Sequence, residues 1–224
     1  MSSIKTFCTA LYLAFFQAKQ NLGDIIVSCG FYVLIVMVFG FLSPLAQQDL
    51  SVLAPCIIWL GAYIAILLSV AHLYSQDFQD GYYLQLFSRA RSPMIFISTK
   101  LLAQLLFYLL PTLAITALLG LFLHQSSGSI VVLLATMALG LPVVFAFAAL
   151  GAALMVALDQ KALLLLVLMI PLLLPVLLLA VGCAIAYGQG LNILPLMALL
   201  GALFLFCGLC IPFLIAVLLR ANLS

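Results

Sequence analysis

The stretch "QDFQDGYYLQLF", residues 76–87, is the polar interruption from which the rest of the chain is read. It contains Asp77 and Asp80, two of the five acidic residues in 224. On both sides lie apolar runs of about 20 residues, the length needed to cross a bilayer as a helix. A short polar island between two such runs reads as the loop joining two membrane spans. The same pattern repeats along the whole chain.

Six apolar runs are legible, at 25–45, 52–73, 94–122, 130–157, 162–186 and 192–219. Polar separators divide them: "AQQDLS", the opening island, "HQSSG", "DQK" and "YGQG". The chain is 68% hydrophobic and 5% charged, against about 25% charged in an ordinary soluble domain. Those values predict an all-α polytopic membrane protein in which residues 1–224 form a single lipid-embedded transmembrane domain. The longer runs predict tilt or kinks, with Pro111, Pro142, Pro171, Pro175 and Pro212 available for kinking.

Charge placement sets the expected orientation. Lys5, Lys19, Arg89, Arg91, Lys100, Lys161 and Arg220 are the seven basic residues, and a six-span scheme puts all of them on one side. The opposite loops hold only Asp49 as a charge. The positive-inside rule therefore predicts that both termini and the 75–92 segment are cytoplasmic. A net charge of +2 gives no argument for nucleic acid. Residues 4–20, "IKTFCTALYLAFFQAKQ", put Ile4, Phe7, Cys8, Leu11 and Phe15 at helical spacing. They predict an amphipathic helix lying in the inner interface, retained because no small-x-small cleavage site follows.

The spans hold little that could do chemistry. Ionisable groups inside a membrane are the usual marks of ion or proton pathways, and no aspartate falls at mid-span. Lys100 enters the third run by about two turns and is expected to reach back to the interface. His72 and His124 end the second and third runs at opposite faces, so they cannot share a ligand. They read as interface residues, and no metal site or catalytic group is expected. All six cysteines lie in apolar runs. Cys207 and Cys210 form a C-x-x-C, but without the strand–helix context of a redox site they read as two small residues on one face of a buried helix. In the fourth run, Ala149, Gly151, Ala152 and Ala153 predict close helix packing, within the chain or against another.

On a wheel of 100° per residue, Phe78, Tyr82 and Leu86 of the island form one apolar stripe. Asp77, Asp80, Gly81, Gln85 and Ser88 gather opposite, with Leu84 exposed among them. Both aspartates fall in the first turns, where the helix dipole favours them, and Ser75 is placed to cap. The segment is longer than spacing demands, since "DQK" joins two spans with three residues. It is therefore expected to be a short cytoplasmic helix with one face on the membrane domain and the other on a partner. A transporter without a coupling-ion site draws its energy from elsewhere. The chain has no G-x-x-x-x-G-K-[ST] of its own, so the expected partner is a separate ATP-hydrolysing subunit, with no ATP bound by this chain.

At this point the sequence resembles the CcmB family, the membrane subunit of the cytochrome c maturation system often called the haem exporter. The resemblance rests on "LAPCIIWLGA" at 53–62, "QDFQDGYYLQL" at 76–86, "LGLPVVFAFAALGAALMVAL" at 139–158, "IPLLLPVLLLA" at 170–180 and "PFLIAVLLR" at 212–220. It implies six spans in an ABC-2-type exporter arrangement and a partner ATPase, CcmA. It also implies CcmC-like and CcmD-like membrane proteins, a CcmE-like periplasmic haem chaperone, and pairing as a homodimer in the bacterial inner membrane. ATP hydrolysis on the partner would then be coupled to haem delivery or to release of the haem-loaded chaperone, with haem as cargo. The resemblance maps ATPase coupling onto Asp77, Asp80, Gly81, Gln85 and Leu86, and the wheel adds Phe78 and Leu84. The chain departs from the family pattern at Leu84, often glutamate there, at Cys56, commonly glycine, and in its bulky Tyr82 and Tyr83. These departures favour an apolar contact over a charged one. Two other readings of the same features are the permease of another ABC-2 exporter, for polysaccharide, lipid or drugs, and an assembly scaffold that transports nothing.

Overall fold

In hydrocarbon every backbone N–H and C=O must find a partner inside the protein, and a continuous apolar segment meets that demand by closing into a helix. The computed structural model describes residues 22–42, 50–70, 73–74, 93–157 and 162–221, with side chains over 23–42, 53–70, 73–74, 95–154 and 174–218. The expected interfacial helix at 4–20 and the whole 75–92 segment lie outside the described residues, as does His72. Within them the chain forms six helices and no strand: α1 (Leu22–Leu42), α2 (Leu50–Val70), α3 (Pro93–Phe122), α4 (Ser127–Ala157), α5 (Ala162–Gly188) and α6 (Leu194–Ala221). Pro55, Pro111, Pro142 and Pro212 all sit inside helices.

Five of the described stretches are long and apolar enough to cross a membrane: Gly23–Leu42, Leu53–Val70, Ile95–Phe122, Ser127–Leu154 and Leu194–Leu218. In α5 the described side chains form the shorter apolar stretch Leu174–Gly188. Burial sorts the helices into inner and outer ones. Of the α2 and α4 stretches 61% is buried, against 28% for α1 and 22% for α6. Helix α4 thus runs through the middle of the bundle, packed on α2, α3, α5 and α6. Its small residues make this possible: Ala149, Ala152 and Ala153 are fully or almost fully buried by this chain's own helices. The outer faces carry Ile26, Leu205 and Leu209, each more than two-thirds exposed. Such surface would aggregate a soluble protein; on helices this apolar it suits lipid or another membrane protein.

Local chemistry sets where the helices stop. Helix α3 ends in a Schellman turn, with the Gln125 amide on the Gly120 carbonyl at 3.0 Å and the His124 amide on the Leu121 carbonyl at 3.1 Å. Helix α5 ends the same way, with the Leu191 amide on Ala186 and the Gly190 amide on Tyr187. The left-handed residue is Gly190 in one turn (φ 70) and His124 in the other (φ 53). Helix α4 then starts under the Ser126 hydroxyl, which accepts from the Ser129 amide at 3.2 Å. The Tyr187 hydroxyl rests where a side chain on Gly128 would stand, which ties the start of α4 to the end of α5.

Candidate functional site

The residues expected to meet an ATPase, Asp77, Phe78, Asp80, Gly81, Leu84, Gln85 and Leu86, lie outside the described residues. What is described is the frame that holds their segment. Leu73 and Tyr74 form the turn that follows α2, and Pro93 opens α3. Between these ends stands Lys100. Its ammonium donates to the Leu73 carbonyl at 3.1 Å and lies 5.5 Å from the centroid of the Tyr74 ring. Only 8% of Lys100 is exposed, so the lysine does reach back along α3, but it ends on a carbonyl and a ring rather than in water. A cation taken out of water needs such partners. A carbonyl at a helix end, with its partial negative charge, and the face of an aromatic ring both supply them.

Farther along α3 the same face stays polar. Lys100, Gln104, Tyr108, Thr112 and Thr116 follow one another at four-residue spacing, and all five are buried. The i+4 row of a helix forms a continuous ridge, and this one meets α2, α1 and α4 in turn. The Tyr108 hydroxyl donates to the Ala62 carbonyl of α2 at 3.2 Å. Thr112 turns its proton back on the Tyr108 carbonyl at 2.7 Å. Thr116 bonds the Thr112 carbonyl at 2.7 Å, meets the Tyr32 hydroxyl of α1 at 2.9 Å and touches the Met137 sulfur of α4 at 3.1 Å. A hydroxyl has one proton. With that proton on the Thr112 carbonyl, Tyr32 must be the donor to Thr116. Beside this row the Trp59 indole reaches Thr136 of α4 at 3.4 Å. Close backbone approach makes room for these rings: a Cβ on Gly61 would stand 3.0 Å from the Tyr32 ring, and one on Gly140 2.6 Å from the Trp59 ring.

Four of the row's five members, Lys100, Tyr108, Thr112 and Thr116, are hydrogen-bonded within the chain, and there is no group of three or more His, Cys, Asp or Glu side chains among the described residues. Its chemistry is mechanical: it joins four helices at fixed register. Sequence reasoning passed over it by searching the spans for charge. The signal was present in the repeat of Lys100, Gln104, Tyr108, Thr112 and Thr116. The C-x-x-C pair sits elsewhere. Cys207 is buried and Cys210 partly so, both as free thiols. Cys207 lines a groove of about 400 Å³ between α3, α4 and α6, walled by Leu101, Leu105, Pro142, Phe145 and Phe204. That lining can hold an apolar group but has little with which to orient one. His124 is exposed at its turn.

The family model described as CcmB protein matches residues 7–222. Heme exporter protein B of Pseudomonas aeruginosa is 35% identical over 161 residues, 72% of each chain. The proteins of the same name from Haemophilus influenzae and Paracoccus denitrificans are each 31% identical. They cover 92% and 90% of this chain and 94% and 92% of their own. With the match spanning nearly every residue and all six described helices, the chain belongs to the CcmB protein family.

Proposed function

We propose that this chain is the membrane subunit of an ABC-type complex for cytochrome c maturation, coupling ATP hydrolysis on a separate subunit to haem delivery or to release of a haem-loaded periplasmic chaperone. The observation that carries the reading is the family match over residues 7–222, reinforced by relatives named Heme exporter protein B. In this reading the six helices are six spans of one membrane domain with ABC-2-type architecture. Both termini and the 75–92 segment face the cytoplasm of a bacterial inner membrane. A CcmA-like ATPase couples through Asp77, Phe78, Asp80, Gly81, Leu84, Gln85 and Leu86 of that segment, meeting it on the side of Asp80 and Leu84 while the stripe of Phe78 and Leu86 seats it on the membrane domain. CcmC-like and CcmD-like membrane proteins, a CcmE-like chaperone and a second copy of the chain complete the assembly. The chain itself is not an enzyme.

The interior supports the reading on physical grounds. Lys100, Tyr108 and Thr116 of the buried row on α3 bond residues outside that helix, which fits a membrane domain that is moved by a separate energy source. The direct test is to purify the tagged chain from its native membrane and identify what co-elutes. An ABC ATPase together with CcmC-like and CcmE-like proteins is the expected result. Full cytochrome c assembly with a catalytically dead ATPase would overturn coupling and favour a scaffold.

A further inference from the structure

We propose that Lys100 is the positioning residue through which displacement of the 75–92 segment enters α3; this deepens the coupling reading above and rests on it. Three observations carry the proposal. First, the Lys100–Leu73 bond spans 27 positions and joins the turn after α2 to α3, the two described ends that flank the 75–92 segment in sequence. This clasp lies nearer in sequence to that segment than the Tyr108–Ala62 bond does. Second, the clasp is built with fixed geometry. A lysine this close to a helix end ordinarily extends its ammonium into water, whereas this one is 8% exposed, bonded at 3.1 Å and seated against the Tyr74 ring. Third, Lys100 is the first member of the buried row that continues through Gln104, Tyr108, Thr112 and Thr116. Through Tyr108–Ala62 and Thr116–Tyr32 that row grips α2 and α1. A push at the clasp therefore moves α3 as a rod against two neighbours, and the displacement reaches the far half of the bundle without any charge inside it.

The experiment uses the full chain in its complex, with Lys100→Met and Lys100→Arg. Methionine keeps the apolar stem and removes the donor and charge; arginine restores both. Chain accumulation, ATPase recovery on the tagged chain and holocytochrome c yield are measured together. Lys100→Met is expected to accumulate and to retain the ATPase while holocytochrome c falls about tenfold, the size of an ordinary coupling between sites. Lys100→Arg is expected to recover most of the yield. Normal yield in Lys100→Met, or no rescue by arginine, overturns the clasp. Should Lys100→Met fail to accumulate, Lys100→Gln is read in the same way, and failure of both makes Lys100 a folding residue and overturns the proposal. If the unaltered chain recovers no ATPase, the coupling reading falls and the clasp with it. If the ATPase is recovered and Lys100→Met works normally, only the clasp falls.

Discussion

Tyr32 on α1 and Thr116 on α3 share a hydrogen bond of 2.9 Å although 84 positions separate them in sequence. Both are fully buried. In hydrocarbon such a bond is worth about 0.6 kcal/mol on average and up to about 1.7 kcal/mol, because the unfolded chain in the membrane also finds partners. Tyr32→Phe is therefore expected to cost about that much and not several times more, since Thr116 keeps its bond to the Thr112 carbonyl. Reversible unfolding in mixed micelles, with Tyr32→Phe, Thr116→Val and the pair, gives the coupling directly. A coupling of zero would mean that the two hydroxyls are neighbours without a shared proton.

Trp59 and Gly140 test packing in place of bonding. A side-chain carbon on Gly140 would stand 2.6 Å from the Trp59 ring, which is fully buried and has no free direction in which to move. Gly140→Ala is expected to cost about 1–3 kcal/mol by overpacking. Trp59 is the single tryptophan of the chain, so its emission reports the shift without added labels. Combining Gly140→Ala with Trp59→Phe should recover part of the loss. Unchanged emission in Gly140→Ala would show that α2 and α4 stand farther apart than described here.

These relationships mark the line between what the sequence discloses and what it hides. The helical class was legible because long apolar segments without charge have one good solution in a bilayer. The inner position of α4 was partly legible in its alanines and glycines, but which neighbours fill the space depends on pairings between distant helices. The polar row on α3 was visible as spacing and still went unread, because threonine and tyrosine carry no charge and threonine bonds its own helix in many contexts. Lys100 was read correctly in direction. That its ammonium stops on the Leu73 carbonyl depends on where the turn after α2 ends, which no local pattern fixes.

His124 sits at φ 53 in the turn after α3, a place where the turn after α5 uses Gly190 at φ 70. A side chain in this conformation carries a cost that glycine avoids. His124→Gly is expected to stabilise the chain by about 0.5–1 kcal/mol, and Gly190→Ala to destabilise it by about 1–2 kcal/mol. His124→Ala exchanges one strained residue for another and should leave both stability and cytochrome c assembly nearly normal. Thermal unfolding in detergent and holocytochrome c yield decide the matter; complete loss of assembly in His124→Ala would instead point to a haem-ligand role for this exposed histidine.

Asp80→Lys together with Leu84→Asp tests the segment expected to meet the ATPase. Both positions fall opposite the stripe of Phe78, Tyr82 and Leu86 on a helical wheel. The double change inverts one charge and removes the exposed apolar group while sparing the face assigned to the membrane domain. Insertion and accumulation should therefore persist, and ATPase recovery on the tagged chain should fall at least about tenfold, equivalent to about 1.4 kcal/mol of binding. Phe78→Ser changes the other face and should loosen the segment from the bundle, lowering accumulation along with recovery. The two faces are thus separable by the ratio of ATPase recovered to chain present. If Asp80→Lys with Leu84→Asp leaves that ratio unchanged, the partner grips the chain somewhere else, because a helix with one face on the bundle has no third surface to offer.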